Sequence, residues 1–210
     1  MLHANNEIAP QFIVIEGIDG AGKSTHIETI IDFFKAKKET IIQTREPGGT
    51  ALGEKIRELV LNDAMSIETE TLLMFAARKE HLNQVILPAL KQGYHVLSDR
   101  FTDATYAYQG AGRGVSTHQI NILENWVQGS FRPNFTLIFD IDPDIARQRL
   151  ETISNGDRFE LQDTAFFERV REAYTDRARL LPDQYAIIDG NQDIHSVKNQ
   201  LLSILQRQFG

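Results

Sequence analysis

Residues 12–25 read F-I-V-I-E-G-I-D-G-A-G-K-S-T, and the reading of this stretch decides the fold. Phe12 to Glu16 form an apolar, β-branched run of strand length. Residues 17–25 satisfy the pattern G-x-x-x-x-G-K-[ST], and T-H-I-E-T-I-I-D-F-F, from Thr25 onward, has helical spacing. Strand, glycine loop and helix in that order are the context the pattern needs. Gly17, Gly20 and Gly22, interleaved with Ile18, Asp19 and Ala21, let successive N–H groups turn inward around phosphate oxygens. The helix that follows offers its free N–H groups and positive dipole end to the same anion. Lys23 is placed to reach β and γ phosphates, Ser24 to put its hydroxyl on Mg²⁺, and Thr25 closes the loop. A functionless glycine-rich turn would match by accident in on the order of one chain per hundred, before the strand and helix context is counted. The glycines do not fall as G-x-G-x-x-G, which disfavours a dinucleotide fold.

Outward from this loop, further strand-length apolar runs occur at 40–44 (T-I-I-Q-T), 94–99 (Y-H-V-L-S-D), 135–141 (F-T-L-I-F-D-I) and 185–189 (Y-A-I-I-D). Between them lie segments with helical periodicity, among them Ile194, Val197, Leu201, Ile204 and Leu205. Continuous apolar strands alternating with helices predict an α/β fold with a parallel five-stranded sheet flanked by helices. Its ligands bind beyond the carboxyl ends of the strands. No repeat or linker-like run divides the 210 residues, so residues 1–210 read as one domain.

Composition narrows the function. Zero cysteines exclude a disulfide framework, a thiol nucleophile and a cysteine-held metal. With 29 acidic against 22 basic residues and a net charge of -7, the chain lacks the basic excess of a nucleic-acid binder. No signal peptide and no apolar run near the ~18 residues of a membrane span is found, so no membrane partner is expected and the location reads as cytoplasmic.

A phosphate loop leaves three classes open: a GTPase switch, an ATPase motor and a small-molecule kinase. No Lys-x-Asp occurs, against the guanine-reading element of a switch, and a motor is usually larger. A kinase needs a second anion site opposite the γ phosphate. Arg45 in T-R-E-P-G-G-T (44–50), Arg78 in M-F-A-A-R-K-E-H (74–81), Arg100 in S-D-R-F (98–101) and Arg113 in A-Y-Q-G-A-G-R-G (107–114) approach one sheet end, where guanidinium forks suit phosphate. Asp99, ending a strand beside the loop, either holds Mg²⁺ or pairs with an Arg. The six histidines form no pair at ligand spacing and read as incidental.

These elements, with L-L-M-F-A-A-R (72–78), S-D-R-F-T-D-A-T-Y-A-Y-Q-G-A-G-R-G (98–114), G-D-R-F-E (156–160) and F-F-E-R-V-R (166–171), resemble bacterial thymidylate kinase, in order and over nearly the whole chain. The resemblance implies a nucleoside monophosphate kinase-like fold, a lid near 147–160, a homodimer, and Mg²⁺-dependent transfer from ATP to dTMP, giving dTDP for dTTP synthesis. The neighbouring alternatives are another nucleoside monophosphate or deoxynucleoside kinase, or a non-catalytic nucleotide-binding regulator.

By position, the resemblance implies that Arg100 holds the acceptor phosphate and Asp19 meets the 3′-hydroxyl or the metal shell. Phe75, or its neighbour Met74, stacks thymine, and Arg78 bonds the base. Thr105 and Gln109 meet the base edge, Tyr108 closes against the 2′ carbon, and Glu46 and Pro47 line the sugar side. One departure stands out. Family members commonly carry Arg in the lid just before D-R-x-E, where this chain has I-S-N-G (153–156). Arg147, Arg149 and Arg158 are the nearest substitutes, with Arg149 the first choice for clamping donor phosphates and Arg158 placed to pair with local carboxylates instead.

Overall fold

The structure is a computed structural model that describes residues 9–151, 159 and 162–210. Its sheet is all-parallel, in the order β2-β3-β1-β4-β5. The strands are β1 (Phe12–Glu16), β2 (Ile41–Arg45), β3 (His95–Asp99), β4 (Phe135–Asp140) and β5 (Tyr185–Asp189). All five lie within a residue of the runs read from sequence. The central strand β1 is buried on both faces, which is why it reads as an unbroken apolar run, whereas the edge strands β2 and β5 are partly exposed.

Alternation along β1 sends Ile13 and Ile15 into the larger core, lined by α1 (Lys23–Ala36), α8 (Thr164–Leu180) and α9 (Ile194–Phe209). Phe12 and Val14 face the other core, formed with α3 (Ile67–His81), α6 (Thr117–Gln128) and Phe101. Glu16 shares the period of Phe12 and Val14, so a carboxyl group enters that second face fully buried.

The remaining helices frame the site. α2 (Ala51–Asn62) starts at Thr50, whose Oγ1 accepts from Gly53 N at 2.9 Å, fixing the end of the T-R-E-P-G-G-T turn. α3 runs through a π-helical turn (Leu82–Ile86) into α4 (Leu87–Lys91), and α5 (Thr102–Thr105) continues as a π-helix (Tyr106–Gly112). α7 (Pro143–Glu151) follows β4, and Asp163 caps α8 by accepting from Phe166 N at 2.7 Å. Among the described residues no helix is long and apolar enough to cross a membrane.

Candidate active site

The loop after β1 closes tightly on its neighbours. At Gly17 (φ 137°) a Cβ would strike the Phe139 carbonyl, and at Gly20 (φ 83°) it would sit 2.5 Å from the Ala146 carbonyl oxygen, so both positions require glycine. Gly22 (φ 87°) caps α1. Lys23 is buried and its ammonium donates to the carbonyls of Gly17 (2.9 Å) and Ile18 (3.0 Å). Burial, and then the charge of Arg100, lower its pKa against the pull of Asp19.

Two clefts meet here. The first runs past Gly22, Lys23, Ser24, Thr25 and Asp99 toward Arg149 and the start of α9. Arg149 Nη2 donates to Gly190 O at 3.1 Å, and Arg149 Nη1 lies 3.8 Å from where a Cβ on Gly22 would stand, so the guanidinium overhangs the loop. Arg147 is exposed and lines neither cleft, and Arg158 lies outside the described residues, as does most of the expected lid. Asp99 Oδ1 is buried with no hydrogen-bond partner among the described residues, while exposed Ser24 lines the same cleft. An unsatisfied carboxylate oxygen and a hydroxyl at a helix N-terminus, on residues lining one cleft, are the kinds of donor a hard divalent cation takes.

The second cleft holds about 620 Å³ including its open mouth, the size of a small-ligand pocket. It is bounded by Glu46, Pro47, Met74, Arg78, Thr105, Tyr108 and Gln109, with Phe101 and Phe159. Asp19, Glu46, Arg57 and Arg100 border both clefts. Arg100 has a left-handed backbone (φ 69°) and its guanidinium is held from four sides. Nη2 meets Asp19 Oδ1 at 2.5 Å and Tyr108 Oη at 3.1 Å, and Nη1 donates to Gly17 O and Tyr174 Oη, each at 3.1 Å. Burial opposes the charge of Arg100, yet Asp19 with Tyr108, Tyr174 and Asp99 outweighs it and raises the pKa. Burial likewise pushes Asp19 upward, but Arg100, Lys23 and the Tyr108 hydroxyl, donating at 3.0 Å, hold it below the usual carboxylate range.

Arg78 is locked by a buried network. Its Nε donates to Glu46 Oε2 (2.7 Å), and its Nη2 to Phe101 O and Thr105 Oγ1 (each 3.1 Å). His81 joins Glu46 Oε1 (2.9 Å) to Thr44 Oγ1 (2.6 Å), so this histidine is a buried support and not incidental. Gln109 Nε2 donates to Glu70 Oε1 at 2.8 Å.

Of the two residues expected at the base, Phe75 does not line the pocket: it is buried in the second core beneath the Arg78 guanidinium, 4.8 Å from ring centroid to Cζ, while its alternative, Met74, takes the pocket wall. Arg113 does not join the other arginines, because it pairs with the buried Glu70 and borders neither cleft. Arg45 lines the loop cleft, paired with Glu54 at 2.8 Å.

Sequence reasoning missed Arg57, Glu16 and Tyr174. Arg57 sits on the α2 face turned to the Pro47 carbonyl, to which it donates at 3.1 Å. Glu16 accepts from Tyr174 Oη at 2.8 Å, and burial, then the charge of Asp103, push its pKa up to about 8 against the charge of Arg100. Its signal was visible as an acidic residue on the inward period of a buried strand.

A phosphate loop facing a second, base-sized pocket across a shared arginine is the geometry of a nucleotide kinase, and comparison with known proteins narrows it. The family model for thymidylate kinase matches residues 15–201. The chain belongs to the thymidylate kinase family. It is 51% identical over 199 residues to the thymidylate kinase of Nitrosomonas eutropha, covering 94% of this chain and 93% of that one. It is 49% identical over 203 residues to that of Neisseria gonorrhoeae, covering 96% and 98%. With the thymidylate kinase of Cupriavidus taiwanensis it shares 50% identity over 197 residues, 93% and 97% of the two chains.

Proposed function

We propose that the two clefts together carry out the reaction of the family, transfer of the γ-phosphoryl group of ATP to dTMP, giving ADP and dTDP. The observation that carries this reading is the Arg100 guanidinium at the junction of the two clefts, fixed by Asp19, with Lys23 in the loop cleft only. An acceptor phosphate with a second pKa of about 6 is largely dianionic at neutral pH, so its oxygen attacks the γ phosphorus without a base. The bond to the β,γ-bridging oxygen breaks and its electron pair leaves on ADP. The protein's task is to align two polyanions and neutralise the charge that spreads over the transferring group.

In this reading Arg100 and Arg57 hold the acceptor phosphate, and Lys23 and Arg149 the donor phosphates. Ser24 and Asp99 are the groups that would hold Mg²⁺, which when bound supplies further charge neutralisation. Arg78 Nη1 is a buried donor without a partner among the described residues, and a thymine carbonyl would satisfy it. Met74, Thr105 and Gln109 complete the base site. Turnover across a panel of nucleoside monophosphates tests this: dTMP is expected to be the best acceptor, dUMP weaker and purine monophosphates inactive. AMP turnover exceeding that of dTMP would refute it.

A homodimer is part of the same proposal. Leu72 on α3 and Ile122 and Trp126 on α6 are 53%, 54% and 80% exposed on two helices that pack together, an apolar surface suited to a second copy. Sedimentation is expected at dimer mass, and at monomer mass for Trp126→Glu. A wild-type monomer at micromolar concentration removes the proposal. A cytoplasmic location belongs to this reading too, supported by the cysteine-free sequence.

A further inference from the structure

We propose that Glu16 is a positioning residue for transfer, one carboxyl group that fixes both the backbone and the guanidinium of Arg100. The backbone half begins with the left-handed φ of 69° at Arg100, a conformation that a side chain bearing a Cβ rarely adopts and that its surroundings must enforce. Three kinds of bond enforce it. Arg100 N donates to Ile15 O at 2.9 Å, and Ser98 Oγ donates to Arg100 O at 2.7 Å. Just past the turn, Glu16 Oε1 accepts from Phe101 N at 2.8 Å and from Ala104 N at 3.2 Å. α5 has no side-chain cap of its own, so Glu16, reaching across from β1, takes that part.

The guanidinium half runs through Tyr174 on α8. Its hydroxyl accepts from Arg100 Nη1 at 3.1 Å and donates to Glu16 Oε2 at 2.8 Å. The two oxygens of Glu16 therefore divide the work, one holding the turn that carries Arg100 and the other orienting the hydroxyl that receives its fork. Asp19 grips the second fork nitrogen from the loop side. Glu16 borders neither the loop cleft nor the acceptor pocket, so it acts through Arg100 and not on the nucleotide. A fully buried carboxyl group kept on the inward period of a core strand, where an apolar residue would pack, is accounted for by this double role.

The proposal rests on Arg100 as the acceptor-phosphate ligand, and the test separates the two. Thymidine shares the base and sugar of dTMP and lacks its phosphate, so the ratio of the two affinities, measured by calorimetry, reports the phosphate grip alone. Glu16→Ala is expected to lower that ratio about tenfold, and Glu16→Gln, which keeps an acceptor for the two N–H groups, by less. In an Arg100→Ala background Glu16→Ala is expected to leave the ratio unchanged. Equal weakening of dTMP and thymidine by Glu16→Ala, or the same tenfold drop without Arg100, would overturn the proposal. Should Glu16→Ala not fold, Tyr174→Phe carries the test: it keeps the turn and removes the relay, and a drop of about threefold is expected. An unchanged ratio in Tyr174→Phe overturns the proposal equally. A wild-type ratio in Arg100→Ala itself would instead remove the acceptor-phosphate reading beneath it.

Discussion

Arg100→Ala and Lys23→Ala are each expected to lower kcat/KM about 10²- to 10³-fold, the loss typical when one preorganised donor to developing charge is removed. The two variants should differ in how the loss divides. Lys23 borders the loop cleft and not the acceptor pocket, so its removal should depress kcat with little change in KM for dTMP. Arg100 borders both clefts, so its removal should raise KM for dTMP as well. Arg100→Lys keeps the charge but cannot reach Asp19, Gly17, Tyr108 and Tyr174 together, and should recover only a minor part of the activity. Neither alanine variant should unfold the chain, because Asp19 retains the Tyr108 hydroxyl and the main chain of the loop is unchanged. Steady-state kinetics with each substrate varied in turn decides the matter. Activity within tenfold of wild type in either variant would retire that residue from the transfer step.

The strands and the phosphate loop were legible because their signals are local. β1 is buried on both faces and carries its loop and helix in one continuous stretch, so the motif and its context lie side by side. What was not legible depends on pairs distant along the chain. Glu16 meets Tyr174 across 158 positions and Arg100 meets Gly17 across 83, and no periodicity encodes either contact. His81 shows the same limit: its role appears only when Thr44 and Glu46, more than thirty positions away, close on either ring nitrogen.

The choice between Phe75 and Met74 stays open in the sequence for a different reason. Residues three and four positions before Arg78 both lie near its face of α3, and about 100° of helical rotation separates them. A sequence cannot tell which of the two turns to the pocket until the second core is known. That core contains Phe12, Phe101 and Val96 on the sheet side, and it claims the larger aromatic, leaving the flexible thioether at the wall. Arg113 erred for the converse reason: its helical end carries it to Glu70, a buried carboxylate whose need for a cation exceeds any pull from the cleft.

Tyr108→Ala is expected to admit the ribose analogue of dTMP and at the same time to destabilise the fold. The ring is buried and forms part of the acceptor pocket. It packs edge-on to Phe159 and Phe166, each at 6.0 Å, and to Tyr174 at 6.5 Å, with the Arg100 guanidinium 4.8 Å above it. Core packing is thus one role of this side chain, and a loss of about 3 to 5 kcal/mol on truncation follows from it alone, while the sugar gate is a second role proposed for the same ring. Stability cannot discriminate between the roles, but selectivity can. If the ring closes against the 2′ carbon, a ribose hydroxyl must clash or be buried without a partner, which costs about 1 to 3 kcal/mol, roughly ten- to a hundredfold in kcat/KM. Tyr108→Ala should relax the preference for dTMP over its ribose analogue by that factor. Tyr108→Phe keeps the ring and removes only the hydroxyl that donates to Asp19, so it should lower activity while leaving the preference intact. Measuring both substrates at a temperature where the alanine variant remains folded separates space from hydrogen bonding, and an unchanged preference in Tyr108→Ala would assign the ring to packing alone.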